Sequence, residues 1–285
     1  MAALYIINEG DHHGGTKMED QASLARSFAA LHIKGEPLII FNAWDAGTAK
    51  AVEEVGAKAV ATGSWAVAAA NGFEDGEKIP LDLVVANLRR MTSVVKIPVS
   101  LDLEGGYSRE PEALRENVGK VIGSGAVGIN FEDRMVSGEG LYGVEEQCER
   151  IRAVRAAADD LSLPLFINAR TDIFLQLDTA AHTEEHLGEA IERAKAYADA
   201  GASGFFAPAL VNTEFIRRLC DASPLPVNVL IWPGLPPERA LAEIGVARLS
   251  YGSRSYRVTI EAFKAAARAA FFDLNAVSVP ATEQP

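Results

Sequence analysis

Short apolar runs alternate with amphipathic stretches along most of the chain. The apolar, β-rich runs fall at 38–42 (LIIFN), 58–62 (KAVAT), 97–102 (IPVSLD), 127–132 (VGINFE), 165–170 (LFINAR), 203–207 (SGFFA), 226–230 (PVNVL) and 246–249 (VARL). Near-continuous apolar runs of this length predict strands buried on both faces. Between them, apolar residues recur with helical spacing at 47–55, 82–94, 111–124, 145–158, 184–200, 213–221, 236–244 and 253–271. Pro111-Glu112 and Pro236-Pro237-Glu238 open two of these helices. Proline fits there because its φ is preset for the first turn and its missing N–H would have had no partner. Gly125 and Gly201 stand just past two other helices, where a left-handed C-cap is expected.

Eight β/α units in ~250 residues predict an α/β fold of the (β/α)8, or TIM, barrel type. The alternative is an open doubly wound sheet, which usually has fewer strands and a glycine-rich first turn. The first turn here, Asn42-Ala-Trp-Asp-Ala-Gly47, lacks that fingerprint. No linker or second domain is visible. The expected organisation is a loose polar N-terminal arm over 1–23, one barrel domain with a C-terminal helix over 24–275, and a frayed tail over 276–285.

Composition narrows the partners. With 48% apolar and 23% charged residues, the 285-residue chain has an ordinary globular balance and can fill a sizeable core. A formal charge of −12 argues against nucleic acid or an anionic membrane as partner. It says little about the substrate, because a local cation or metal overrules the global field. Cys148 and Cys220 lie in helix-like stretches, which suits a reducing compartment without a structural disulfide. No apolar run reaches the ~18–20 residues of a membrane span, and no signal-peptide pattern opens the chain, so a cytoplasmic setting is expected.

The candidate chemistry sits where strands end. Val99-Ser-Leu-Asp-Leu-Glu-Gly-Gly106 opens from an apolar run into Asp102 and Glu104. Val127-Gly-Ile-Asn-Phe-Glu-Asp133 ends in Glu132 and Asp133, and Leu165-Phe-Ile-Asn-Ala-Arg-Thr-Asp172 in Arg170 and Asp172. Carboxylates and an arginine gathered at the carboxyl ends of a barrel suit a hard divalent cation and an anionic substrate. Other motifs point nowhere. Gly123-Ser-Gly-Ala-Val-Gly128 matches a dinucleotide fingerprint but follows a helix and leads into a strand, the reverse of what that site needs. His182 and His186 read as solvated surface histidines, and Cys148 as a packing residue. No histidine stands at a strand end, which argues against a Ser-His-Asp or Cys-His arrangement.

With these residues in place, the chain resembles the isocitrate lyase/phosphoenolpyruvate mutase superfamily from about Phe28 to Phe271. The landmarks are Phe41-Asn-Ala-Trp-Asp45, Thr62-Gly-Ser-Trp65, Asp102-Leu-Glu-Gly-Gly106, Asn130-Phe-Glu-Asp133 and Asn168-Ala-Arg-Thr-Asp172. The resemblance implies a barrel whose eighth helix is exchanged between subunits, hence a homodimer or homotetramer. It implies Mg2+ (or Mn2+) and a small 2-oxo or 2-hydroxy acid. Asp102, Glu104 and Glu132 match the metal-site carboxylates, some acting through coordinated water. Asp75 matches an acidic loop residue near the site, and Arg170 the arginine that meets the substrate. Trp44, Asp45, Ser64 and Trp65 match the pocket walls; backbone N–H groups at the Ser64–Trp65 position hold the substrate carboxylate in relatives. Asn228 matches a further substrate contact.

One segment departs from the superfamily pattern. The lyases carry a Lys-Lys/Arg-Cys-Gly-His loop whose cysteine supplies the acid. This chain has Met135-Val-Ser-Gly-Glu-Gly-Leu-Tyr-Gly143 there, without cysteine, lysine or histidine. The phosphonomutase lysine and asparagine are missing too. Tyr142, Glu139 and Ser137 stand as candidate proton donors on a glycine-containing lid. The leading expectation is a Mg2+-dependent carbon–carbon lyase or decarboxylase working through an enolate. A phosphonate P–C bond enzyme is the second reading, and a non-catalytic metabolite-binding barrel the third.

Overall fold

The computed structural model describes residues 13–136 and 138–272. An N-terminal helix, α1 (His13–Ala30), precedes eight strands: β1 (Leu38–Ile40), β2 (Val60–Ala61), β3 (Val99–Asp102), β4 (Gly128–Glu132), β5 (Phe166–Arg170), β6 (Gly204–Ala207), β7 (Val227–Leu230) and β8 (Arg248–Ser250). Helices α2 (Ala46–Glu54), α3 (Ser64–Ala70), α4 (Leu81–Val94), α5 (Pro111–Ile122), α6 (Val144–Asp160), α7 (Glu184–Asp199), α8 (Thr213–Ala222), α9 (Glu238–Glu243) and α10 (Arg254–Phe272) follow in alternation. Neighbouring strands pair in parallel in the order β1-β8-β7-β6-β5-β4-β3-β2. The seam between β1 and β2 is joined by a parallel bridge, Ala43–Thr62, with Ala43 N–H donating to Ala61 O at 2.9 Å. The fold is the expected (β/α)8 barrel.

Strand periodicity sorts the side chains. Leu101, Ile129, Phe131, Ile167 and Ala169 are buried toward the helices. Ser100 and Asp102, Asn130 and Glu132, Asn168 and Arg170 alternate with them and face the barrel interior. The register places Asp102 beside Asn130, Asn130 beside Asn168, and Glu132 beside Arg170. Asn168 Nδ2 donates to Asn130 Oδ1 at 2.9 Å, so these two interior amides pair with each other below the strand ends.

Two differences from the sequence expectation have physical causes. Residues 13–23 belong to α1 and are not a loose arm. Gln21, Ala25 and Phe28 are buried at helical spacing in an otherwise polar stretch. Gln21 Nε2 donates to Ile122 O and Ala126 O at 2.9 and 2.8 Å. Phe28 packs edge-on against Phe166, and a Cβ at Gly128 would lie 2.7 Å from its ring, so Gly128 is needed for this close approach. A glutamine that anchors by hydrogen bonds leaves no mark on a hydrophobic pattern. The second difference is α3, whose sequence SWAVAAA is apolar throughout and carries no periodic signal. The tail expected over 276–285 lies outside the described residues.

Candidate active site

The turn after β3 is built around Glu104. Leu103 N–H donates to Asn130 O, and Glu132 N–H to Glu104 O at 2.9 Å, so β4 holds this turn through the backbone. Glu104 adopts φ +53, a left-handed conformation uncommon for a residue with a side chain. Its carboxylate is buried and accepts from Glu77 N–H at 3.0 Å. Gly106, at φ +86, cannot be replaced cheaply: a Cβ there would lie 2.4 Å from Leu114 Cδ1.

Asp102 accepts from Ser64 N–H at 2.9 Å through Oδ2, and its own N–H donates to Thr62 Oγ1 at 2.8 Å. Its other oxygen, Oδ1, is buried without a hydrogen-bond partner. Glu132 is buried and pairs through Oε2 with Arg170 Nη1 at 2.9 Å. Arg170 also grips Asp172 with both ends of its fork, at 2.6 and 2.9 Å. Asp172 N–H donates to Asp133 Oδ1 at 3.0 Å, and Asp133 Oδ2 accepts from Tyr197 Oη and Arg193 Nη1. A chain of charge-assisted bonds thus fixes the guanidinium from behind.

The titration behaviour reflects crowding of acids. Burial pushes Glu104 up to about 8, with the charges of Asp102 and Asp75 adding to the effect. Burial raises Glu132 well above the carboxylate range; Arg170 opposes this, while Asp172, Asp102 and Glu104 reinforce it. At the mouth, partial burial and the charge of Asp102 push Asp75 upward. Burial works against the charge on Arg170, but Asp172 and Glu132 outweigh it and hold the guanidinium well above its ordinary range. Arg170 pairs directly with two of these five carboxylates, and the buried Arg248 on β8 adds its charge opposite Asp102.

The other predicted residues divide. Trp44 and Trp65 form an aromatic wall with Tyr256, at centroid distances of 4.9 and 5.8 Å. The Arg257 guanidinium lies 4.7 Å over the Trp65 ring. Asp45 caps α2, accepting from Thr48 N–H at 2.7 Å and Thr48 Oγ1 at 2.8 Å, so Oδ1 serves the helix rather than the pocket. The Ser64 N–H, expected to meet substrate, is engaged by Asp102. Asn228 is buried on β7, accepts from Ser250 Oγ at 3.2 Å and leaves Nδ2 unpaired.

Tyr142 is not placed as a proton donor. It is buried, its ring lies 4.0 Å beneath the Arg150 guanidinium, and its carbonyl accepts from Arg193. Glu139 lies on the exposed tip of the loop and lines a cavity of ≈ 430 Å³ with Arg134, Asp172 and Gln176. Ser137 lies outside the described residues. The phenol that does face the acids is Tyr107, which sequence reasoning passed over. Burial, then the charges of Glu104 and Glu77, raise it far above the tyrosine range and keep it protonated. Glu77 and Arg150 were passed over as well; glycine-flanked Asp75-Gly-Glu77 was the available signal. His182 and His186 hold Phe174 O and the Thr183 cap, and neither approaches the site.

Comparison with known proteins agrees with this architecture. The sequence pattern of the phosphoenolpyruvate phosphomutase family matches residues 28–271. A Burkholderia cenocepacia J2315 crystal structure, provisionally described as a phosphonomutase, is 44% identical, covering 88% of this chain and 99% of its own, with a TM-score of 0.85. The 2-methylisocitrate lyase of Escherichia coli K12 is 31% identical over 214 residues, 72% of this chain and 69% of the lyase. A phosphonopyruvate hydrolase solved with oxalate and Mg2+ shares the fold, with a TM-score of 0.75 at 20% identity over 93% of this chain and 92% of its own. The chain belongs to the phosphoenolpyruvate mutase family of the isocitrate lyase/phosphoenolpyruvate mutase superfamily, whose members include lyases and mutases.

Proposed function

We propose that the protein is a Mg2+-dependent carbon–carbon lyase or decarboxylase for a small 2-oxo or 2-hydroxy acid. The observation that carries this reading is the unpaired, buried Oδ1 of Asp102 inside a cluster of acids in which Arg170 pairs with Glu132 and Asp172. Leaving a buried carboxylate oxygen without a partner is costly, and a hard cation removes that cost. Among the described residues, no three acidic, histidine or cysteine side chains converge closely enough to ligate one ion directly. Mg2+ keeps several waters and is commonly held by one or two carboxylates, so it does not require such a cluster. Asp102 would hold the ion, with Glu104 and Glu132 reaching it through water.

When bound, the ion would supply Lewis-acid stabilisation of negative charge on the C2 oxygen as the neighbouring bond breaks. The protein's own groups do the rest. Arg170, fixed by Glu132 and Asp172, presents a preorganised cation to the developing enolate; one such donor is worth about 3 kcal/mol. Trp44, Trp65 and Tyr256 exclude water on one side. Tyr107 keeps its proton beside the acids and is placed to hold one near the reacting oxygens. Decarboxylation asks least of such a site, because carbon dioxide leaves without protonation.

The phosphonate reading is favoured by the family pattern and by the Burkholderia relative's description. Calorimetry with oxalate, a mimic of the pyruvate enolate, tests the shared site. Binding that needs Mg2+ and disappears with chelator is expected; no binding in either condition would leave the resemblance standing for fold alone. Carbon dioxide release from oxaloacetate and phosphorus NMR with phosphonopyruvate then separate the two chemistries. Tight oxalate binding without turnover of either would leave a metabolite-binding barrel.

The exposed face of α10 supports an exchanged-helix reading of the subunit arrangement. Of its 19 residues only Ser255 is buried, and Phe263, Phe271 and Phe272 are 71%, 74% and 84% exposed. Ile39 and Phe41, on and just after β1, are likewise exposed, beside a groove of ≈ 440 Å³. A barrel ordinarily covers this seam with its own eighth helix. The exposed faces match if α10 of a second copy lies there, giving a homodimer or larger assembly in the cytoplasm.

A further inference from the structure

Two turns of this barrel end hold non-glycine residues in the left-handed region: Glu77 at φ +58, Glu104 at φ +53 and Tyr107 at φ +60. Such residues persist only where their surroundings over-determine them. Here they determine each other. Glu77 N–H donates to Glu104 Oε2 at 3.0 Å, and Glu77 Oε1 accepts from Tyr107 N–H at 2.8 Å. The two bonds run in opposite directions between turns 27 to 30 residues apart. A Cβ at Gly105 would stand 3.1 Å from Glu77 Oε1, so Gly105 leaves the room that the carboxylate fills. Beneath the turn, Arg150 donates to Gly105 O and Ser108 O.

The same two turns carry Asp75 on one side and Asp102 and Glu104 on the other. We propose that Glu77 is a positioning residue that clasps the Asp75 turn onto the Asp102–Tyr107 turn and aims the Glu104 carboxylate into the site. The inference rests on the metal-site reading above but makes its own demand: the carboxylate of Glu77, engaged by the Tyr107 amide, sets the geometry of the residues assigned to the ion. Without it, the Glu77 amide still exists, but nothing holds it opposite Glu104. A glutamine offers Oε1 to the same Tyr107 amide and preserves the clasp; an alanine offers nothing.

The test uses the full chain and two readouts. Mn2+ binding is measured by electron paramagnetic resonance for wild type, Glu77→Ala and Glu77→Gln. Amide exchange over residues 102–108 is measured without metal by mass spectrometry. Glu77→Ala is expected to weaken Mn2+ about tenfold, the scale of lost support behind a metal ligand, and to speed exchange over 102–108. Glu77→Gln is expected to stay within about threefold of wild type in affinity, as the supporting hydrogen bond survives. Mn2+ binding by Glu77→Ala as tight as wild type would overturn the proposal, and so would unchanged exchange. A wild type that binds no Mn2+, with exchange still faster in Glu77→Ala, would sink the metal reading while the clasp stands.

Discussion

Two glycine-containing loops leave neighbouring strands at the same end of the barrel and differ in almost every physical respect. The turn over 102–107 is buried and tied down. Its backbone bonds to Asn130 and Glu132, its side chains to Ser64 and Glu77, and its carbonyl at Gly105 to Arg150. The loop over 134–142 is a short excursion closed by an Arg134–Leu141 bridge, with Gly138, Glu139 and Gly140 exposed at its tip. One is held from several sides by other segments, and the other is tied mainly to itself, through Met135 N–H to Gly140 O and Gly138 N–H to Met135 O. A site that must hold the same charges in every catalytic cycle needs the first. The second is where this chain's sequence departs from the resemblance to the lyases and the phosphonomutases. Preorganised charge tolerates little movement, whereas a lid works by moving.

The largest effect should come from striking the turn over 102–107. Asp102→Ala removes the carboxylate whose Oδ1 is buried without a partner, and is expected to weaken Mg2+-dependent oxalate binding about 100-fold or more by calorimetry. Binding that survived would break the contrast at its root. Shortening the tip at Gly138–Gly140 should do the opposite, leaving oxalate binding within about threefold while lowering turnover, if the loop acts only as a cover.

A pH series sharpens the same contrast. Glu104 titrates at about 8 in the folded chain because burial favours its neutral form. Between its unfolded value near 4.5 and about 8, the folded state therefore binds more protons than the unfolded state, and stability falls as pH rises through that window. A metal that requires the carboxylate works in the other direction. The rise in Tm on adding Mg2+ should be small at pH 5.5 and larger at pH 8 (a window set by the value near 8) by calorimetric melting. A Mg2+ effect independent of pH would remove Glu104 from the metal's surroundings. The smallest effect is expected for Tyr142→Phe, which keeps the ring stacked under Arg150 and should change turnover by less than about twofold, since most of that contact is the ring face.

Much of this was legible before the structure. Asp102, Glu104, Glu132 and Arg170 announce themselves because polar residues at the ends of apolar runs have few purposes inside a barrel. Position near a motif says nothing about direction: the Tyr142 ring turns to Arg150, and Asp45 Oδ1 turns back to cap its own helix. Glu77 and Tyr107 were hidden for a related reason. Their role lies in bonds between a side chain and a distant backbone N–H, and a backbone N–H is the same in every residue but proline. Gln21 escaped notice the same way, since a hydrogen-bonding anchor looks like a surface residue.

The sequence by itself determined the eight β/α units, the barrel and the acids and arginine that meet at its carboxyl end, because period and residue type are local properties that fix which face is buried. Only the tertiary structure decided which carboxylate keeps a free oxygen, which arginine is clamped, and which two turns hold each other. Those depend on where chain segments 30 or more residues apart meet, on φ values that neighbours impose, and on how many charges share one buried space.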